Sequence, residues 1–590
     1  MPSVQQGKPV VSSAGRSRRR VAAPAPPSTL NLPPTHVSFT DPHGLLAQLA
    51  AGDSEAVTYP DSAWYVARLL ADQLSFASTF DKLLAPDALR ERVRPHAFQI
   101  RVVEQVLREK APSAILADEV GLGKTIEAGL IYKELALRGI VRSALVLAPK
   151  ALLSQWQEEL AERFGEDFVL TDEKRFRGFE AEERIICSLP QFVRSFERLA
   201  GRTWDLVIVD EAHLLANPAS KRRTCVAELR SRWRLLLTAT PLANKVTDLY
   251  SLIDLALPGR LGTQRQFEQE YVADPQTGRH VKPARAQELR SVTREVICRT
   301  RRAETEIAFA PRHVQTRSVA PMPAEDALIS DVTDYLRALF RRGQASRANR
   351  GAVIREIMAL QQSLSSSPRA IEQSLRRRAE KHADERGELL ALAEGCRAVQ
   401  SAKEQVLVDA LRDLGDEPVL LFTLRLETAA RLREVIRRGG RSAEAYTGDL
   451  KRAERESLVK RFNGGKLQTL IATDAGAEGL NLQERCSVVF NYDLHWNPMK
   501  IEQRIGRVQR LGQTRDVQVV NLVLQDTIDE YVVRLLYEKI DLFTMTIGAL
   551  ESVLSEVQEG ELDLEERLLE LLLASETRAQ LRRDVAALGA

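Results

Sequence analysis

The chain has 590 residues, 44% hydrophobic and 28% charged, and its 84 lysines and arginines against 81 aspartates and glutamates leave a formal charge of only +3. That length exceeds what one core supports and suggests about three or four units of ~150 residues, while the near balance of charge excludes a global electrostatic field as the means of holding nucleic acid. Five scattered cysteines (Cys187, Cys225, Cys298, Cys396, Cys486) form no C-x-x-C pair, which argues against a zinc ribbon or a disulfide framework and fits a reducing cytosol, and no apolar run approaches the ~18 residues of a membrane span.

Residues 1–35 hold no acid, carry the basic cluster Arg16, Arg18, Arg19 and Arg20 and include Pro24-Ala25-Pro26-Pro27. Such a composition cannot form a packed core and reads as a disordered basic tail, with a transit peptide as the alternative. No apolar signal-peptide core follows the start, so the expected location is the cytoplasm. Residues 36–92 are a small mixed preamble with too few signals to carry a role.

From 93 to 258, apolar strand-like runs alternate with helical patterns, as in a parallel sheet covered on both faces. Within this lobe Ala114-Ile115-Leu116-Ala117 is an apolar strand end that leads into Asp118-Glu119-Val120-Gly121-Leu122-Gly123-Lys124-Thr125. Lys124 then opens a helical pattern through Ile126, Leu130, Ile131 and Leu135, closed by Gly139. Strand, glycine-rich loop and helix together form a phosphate site. Backbone N–H groups close around the phosphates, the helix N-terminus adds its positive end, Lys124 reaches the outer phosphates, and Thr125 can ligate magnesium. Asp118 stands where the general pattern has its first glycine. Further on, Leu206-Val207-Ile208-Val209 delivers Asp210 and Glu211 of Asp210-Glu211-Ala212-His213 to the carboxyl end of a sheet. Asp210 is there placed to hold magnesium and Glu211 to orient and deprotonate water, so the two signals predict hydrolysis of a nucleoside triphosphate.

Between 259 and 400 the strand patterns vanish and Arg-rich helical stretches appear, among them Phe340-Arg341-Arg342 and Leu375-Arg376-Arg377-Arg378. Solvated helix faces account for any one of these clusters; their place between two lobes makes the insertion a candidate nucleic-acid grip. Strand and helix alternate again from 401 to 550, with strands expected at Pro418–Thr423, Ala443–Tyr446, Thr469–Thr473, Cys486–Tyr492 and Val517–Leu524, a second doubly wound lobe. Residues 551–590 are an acidic, leucine-rich helical tail in which Leu564, Leu568, Leu571 and Leu572 recur at helical intervals. It is expected to pack back on the second lobe, with docking to a partner as the alternative.

Two lobes sharing one ATP site resemble helicase superfamily 2, and the wording from about Arg94 to Lys539 is similar to its Swi/Snf-type branch, particularly the RapA-like bacterial group. Ala117 to Thr125 resembles motif I of that branch, in which the aspartate is the normal departure. Arg94-Pro95-His96-Ala97-Phe98-Gln99 resembles the adenine-recognition segment, with Gln99 as the base reader. Leu147-Ala148-Pro149-Lys150 through Gln155-Trp156 is similar to motif Ia, and Thr238-Ala239-Thr240-Pro241 with Asn244 to motif III. Cys298-Arg299-Thr300-Arg301-Arg302, followed by Ala310-Pro311-Arg312, is similar to the junction between lobes. Thr473-Asp474-Ala475-Gly476-Ala477-Glu478-Gly479-Leu480-Asn481-Leu482-Gln483 matches motif V, and Gln503-Arg504-Ile505-Gly506-Arg507-Val508-Gln509-Arg510-Leu511-Gly512-Gln513 matches motif VI.

The resemblance implies two tandem RecA-like α/β lobes and ATP with Mg2+. Gly479 joins the loop residues at the nucleotide, and Gln503, Arg507 and Arg510 join Lys124, Asp210 and Glu211 in catalysis, Arg507 and Arg510 as arginine fingers. Pro149, Lys150, Thr238, Thr240, Asn244, Thr473 and Asp474 couple the site to nucleic acid. The implied activity is an ATP-driven translocase on duplex DNA, held through phosphate contacts, that remodels or displaces bound protein. The alternatives are a strand-separating DNA or RNA helicase, or an ATP-switched clamp in an RNA polymerase, repair or phage-defence assembly. The chain has no room for the long additional terminal domains of RapA-like relatives.

Overall fold

The computed structural model describes residues 80, 82–239, 246–273, 281–344, 350–474, 479–496, 498–531, 533, 571–575, 580 and 583. The basic tail 1–35, most of the preamble 36–92, Thr240, Pro241 and Asn244 of motif III, residues 475–478 of motif V and most of 551–590 lie outside the described residues.

Seven strands build the first sheet: β1 (Ser113–Leu116), β2 (Ala144–Ala148), β3 (Val169–Leu170), β4 (Arg184–Ser188), β5 (Trp204–Val209), β6 (Ser231–Leu237) and β7 (Ile297–Cys298). Their order is β3-β4-β2-β5-β6-β1-β7 and every pairing is parallel. A parallel sheet needs cover on both faces, so its strands read as unbroken apolar runs; all five residues of β2 are buried. Their side chains still divide with period two. Ile115, Leu145, Leu147, Val207 and Val209 enter one core, and Ala114, Leu116, Val146, Leu206 and Ile208 enter the other. Helices α1 (Ala97–Gln105), α2 (Lys124–Leu137) and α3 (Leu153–Phe164) belong to this lobe.

The second sheet holds β8 (Arg312–Val319), β9 (Val419–Thr423), β10 (Ala443–Tyr446), β11 (Thr469–Thr473), β12 (Val488–Asn491) and β13 (Val517–Leu524) in the order β10-β11-β9-β12-β13-β8, again all parallel. Among the described residues five helices stand between β8 and β9; the first four are α4 (Pro323–Gln344), α5 (Arg350–Ser366), α6 (Pro368–Lys381) and α7 (Arg386–Cys396), and the fifth spans Ala402–Asp413. Their Leu336, Ile357, Ile371, Leu375 and Leu389 share one core with Leu420, Phe422 and Val489 of the sheet. The inserted helices are therefore one face of the second lobe. Leu572 and Leu573, in a short helical stretch of the tail, are buried in the same core, and Arg337 of α4 donates to the Ser575 carbonyl at 2.7 Å.

The expectation that strands vanish between 259 and 400 is corrected by β7 and β8. β7 has two residues, too few to show a period. β8 pairs with β13 along all eight of its residues, but as an edge strand it buries only Val319, so Arg312-His313-Val314-Gln315-Thr316-Arg317-Ser318 carries no apolar run. The Arg-rich stretches carry intramolecular ion pairs. Arg376 pairs with Glu372 at 3.0 Å and Arg342 with Glu385 at 3.0 Å, and Arg377 pairs with Glu427. Arg378 is buried, held by Glu385 at 3.0 Å, the Tyr335 hydroxyl at 2.6 Å and Glu356.

Gly129 lies inside α2, where a Cβ would overlap the Phe164 ring of α3. Alanine gains about 1 kcal/mol over glycine in a helix, yet overpacking a core costs about 1–3 kcal/mol. Gly129→Ala is expected to lower the thermal unfolding midpoint, measured by circular dichroism; a raised midpoint would show that helix propensity outweighs this packing.

Candidate active site

Both phosphate signals sit at the carboxyl ends of strands in one sheet. β1 leads into the loop before α2, β5 leads into Asp210 and Glu211, and β6 lies between them. Because all three run in parallel, the two signals open onto the same edge.

The loop turns on Gly121 and Gly123, both left-handed with φ of +89° and +92°. Its carbonyls are tied down in succession. Lys124 Nζ donates to the Asp118 carbonyl at 2.6 Å and to that of Glu119 at 3.4 Å. Arg302 Nη2 donates to the Val120 carbonyl at 2.7 Å, the Leu511 N–H to that of Gly121 at 3.5 Å, and Gln99 Nε2 to that of Leu122 at 3.0 Å. Holding the oxygens this way is what a peptide run requires if its N–H groups are to meet a phosphate.

Asp118, the departure from glycine, is buried and takes the Thr300 N–H on Oδ1 at 2.7 Å, which fastens the loop to the segment after β7. Glu127, in the first turn of α2, is also buried; burial and the neighbouring Asp118 push its carboxyl well above the ordinary range. Gln99 takes the His96 N–H on its carbonyl at 3.0 Å while its amide braces Leu122. One amide hydrogen and one lone pair remain for a base edge. Burial lowers the pKa of Lys124 against the pull of Asp118, Glu211, Glu127 and Asp210.

Asp210 accepts from Trp156 Nε1 of α3 at 2.8 Å and from the Glu211 N–H at 2.8 Å. Burial and the adjacent Glu211 raise its pKa to about 6. Burial acts against the Glu211 charge too, but His213, whose Nδ1 lies 3.1 Å from Oε2, outweighs it together with Lys124 and Arg507 and holds the carboxyl down to about 2. Glu211 itself is left-handed, with φ of +49°. The described residues contain no cluster of three His, Cys, Asp or Glu side chains able to hold a metal alone. A phosphate-bound magnesium needs only one or two protein oxygens beside phosphate and water. An under-compensated Asp210 with the Thr125 hydroxyl in the first turn of α2 fits that requirement.

From the second lobe, α8 (Pro498–Ile505) and the turn after it meet this edge. A Cβ on Gly506 would overlap Val120, and one on Gly121 would come within 3.1 Å of the Gln509 carbonyl and 3.4 Å of Arg510 Cα. Arg507 donates from Nε to the Gln503 carbonyl at 3.0 Å and stands near enough to Glu211 for its charge to hold that carboxyl down. Arg510 is enclosed. Burial and Arg507 lower its pKa to about 10 against Glu159, and its Nη1 has no hydrogen-bond partner among the described residues.

Arg504 is engaged elsewhere. It grips Asp474 through Nε and Nη2 at 2.6 and 2.9 Å and reaches the Asp493 carbonyl through Nη1 at 2.6 Å, joining motif VI to motif V. Gly479, expected at the nucleotide, lies instead against motif Ia, where a Cβ would come within 2.6 Å of Leu152 and 3.0 Å of Gln155. Pro149 precedes the turn that begins at Lys150, which is exposed. Thr238 is buried, donating its N–H to the Leu116 carbonyl at 3.0 Å, and Thr473 is buried at the end of β11. Sequence reasoning did not anticipate the Trp156 bond to Asp210, the His213 contact, or the role of Arg302 and Gln509. Only His213 had a signal, its place two residues after Glu211.

Residues 98–367 match the SNF2-related domain family and residues 402–512 the helicase conserved C-terminal domain. The chain is 35% identical over 534 residues to the Bacillus subtilis (strain 168) protein named "uncharacterized ATP-dependent helicase YqhH", with 89% of this chain and 92% of that one covered. It is 30% identical over 505 residues to the RNA polymerase-associated protein RapA of Sodalis glossinidius (strain morsitans), covering 78% of this chain and 50% of RapA, so it spans about half the length of that relative. Among solved structures, the Sulfolobus solfataricus SWI2/SNF2 ATPase core in complex with dsDNA aligns at 22% identity and a TM-score of 0.37, over 80% of this chain and 97% of that one. With both domain families matched in order along the chain and YqhH covered almost from end to end, the chain belongs to the SNF2-related family of helicase superfamily 2 ATPases.

Proposed function

We propose that this ATPase is a translocase on duplex DNA that moves or displaces bound protein, with ATP shared between its lobes. The observation that carries the reading is the meeting of Arg507 and Arg510 with the phosphate loop and Glu211 of the other lobe. In this reading Lys124 and the loop N–H groups bind the phosphates, and Gln99 faces the base. Thr125 and Asp210 would hold Mg2+, which when bound neutralises phosphate charge. Glu211, whose carboxyl is held low by His213, Lys124 and Arg507, orients the attacking water and accepts its proton as the water oxygen bonds the γ-phosphorus and the bond to the ADP oxygen breaks, a modest demand in a loose phosphoryl-transfer transition state. Arg507 and Arg510 supply positive charge from the second lobe, a contribution worth on the order of 10³–10⁵ in rate elsewhere. Turnover then depends on lobe closure, and a track that favours closure drives the motor. Family membership supports duplex as that track, and the name of the RapA relative supports a DNA-bound protein client.

Lys124→Ala is expected to weaken ATP binding, and Glu211→Gln to keep binding while stopping turnover, as read by fluorescent-nucleotide titration beside phosphate release. Undiminished hydrolysis by Glu211→Gln would remove that residue from the mechanism.

Duplex DNA is expected to stimulate hydrolysis more than single strands or RNA, and a triplex-forming third strand to be displaced without parting the duplex. Because the contacts are to phosphate, stimulation should fall steeply between about 50 and 200 mM salt and vary little with sequence. Stimulation by RNA alone would replace duplex as the track. Stimulation by duplex without triplex displacement would favour an ATP-switched clamp.

A further inference from the structure

The segment from Arg299 to Pro311 joins the sheets, following β7 of the first and preceding β8 of the second. One side chain in it touches both halves of the active site. Arg302 begins a short 3-10 turn whose N–H donates to Glu119 Oε2 at 3.1 Å. Its guanidinium donates through Nη2 to the Val120 carbonyl of the phosphate loop at 2.7 Å. The same nitrogen reaches the Gln509 carbonyl at 3.2 Å, and Nη1 reaches Gln509 Oε1 at 2.8 Å. Gln509 is buried, and its own amide donates onward to the Ala310 carbonyl of the same segment at 3.1 Å. The Arg302 guanidinium also lies 5.1 Å from the Phe309 ring centroid.

Gln509 is the residue before Arg510, and the backbone of both stands against Gly121. The planar fork of an arginine can hold two acceptors at a fixed angle, which a lysine ammonium cannot. These contacts therefore set how far, and at what angle, the Arg510 backbone sits from the phosphate loop.

We propose that Arg302 is a positioning residue that aligns motif VI on the phosphate loop, with Gln509 as the part it grips. The proposal rests on the finger role of Arg510 given above. Arg302 donates to backbone and amide oxygens, and its effect is to keep Arg510 in register with the phosphates when the lobes close. A misplacement of about 1 Å at a reacting centre can cost about 10²-fold in rate, whereas ATP binding, dominated by the first lobe, loses little. The expected signature is a fall in kcat with KM nearly kept.

The test compares purified full-length protein with R302A, R302K, Q509A, R302A/Q509A and R510A in ATP titrations, with and without duplex DNA. R302A is expected to lower kcat by about 10²-fold with the KM for ATP close to the unaltered value. R302K should restore part of the loss, and Q509A, which removes the grip from the other lobe, should show the same kcat-dominated defect. If the two residues act as one contact, R302A/Q509A should be no slower than R302A. Unchanged kcat in R302A and Q509A, a defect confined to KM, or losses that multiply in the double variant would overturn the proposal. Basal turnover serves as a readout even if duplex fails to stimulate, so failure of the translocase reading stays separate. Full turnover in R510A would overturn the finger role and the positioning role with it, while loss in R510A beside normal R302A and Q509A would overturn the positioning role alone.

Discussion

A phosphate loop works only if its peptide dipoles face one way, and that condition organises the active site here. Five successive carbonyls, from Asp118 to Leu122, are each held by a donor. The donors come from α1 through Gln99, from α2 through Lys124, from the joining segment through Arg302, and from motif VI through Leu511. The shape of the loop and the placement of the second lobe are thus parts of one hydrogen-bond arrangement. Asp118 extends it: where a glycine would leave the strand end free, its carboxylate fastens the loop to Thr300.

Charge is distributed with the same logic. Burial and the adjacent Glu211 raise Asp210 to about 6, and burial and the neighbouring Arg507 lower Arg510 to about 10. Buried groups of this kind are costly unless paired. A triphosphate with its magnesium brings both missing signs, anion to the arginines and cation to the acids, which is why the proposed chemistry suits this pocket. Glu211 differs because His213, Lys124 and Arg507 compensate it inside the protein.

Two arginines in basic stretches are committed inside the protein. Arg378 is enclosed by two glutamates and a tyrosine within the inserted helices, and Arg504 is committed to Asp474 and the Asp493 carbonyl. Breaking such buried pairs costs more than a surface pair because the remaining charge is stranded. A basic cluster read from sequence alone therefore does not say which of its arginines reach the surface.

Much of the architecture was legible in the chain. Apolar strands such as Ala144-Leu145-Val146-Leu147-Ala148, buried on both sides, carry a local signal because parallel sheets exclude water from both faces. The loop before Lys124 and the acids after Val209 were legible for a similar reason: phosphate chemistry demands particular residues at adjacent positions. What escaped was non-local. β8 is polar because it lies at an edge, and only its pairing with β13 makes it a strand. Arg302 and Gln509 are 207 positions apart, and Trp156 is 54 from Asp210. No periodicity links such pairs. The sequence by itself determined the two lobes, the phosphate loop and the acid pair, since each is written in contiguous residues. Tertiary structure alone decided which arginines stand beside the loop before Lys124 and Glu211 and which are committed to acids elsewhere, because a guanidinium takes whatever acceptor the fold brings within about 3 Å.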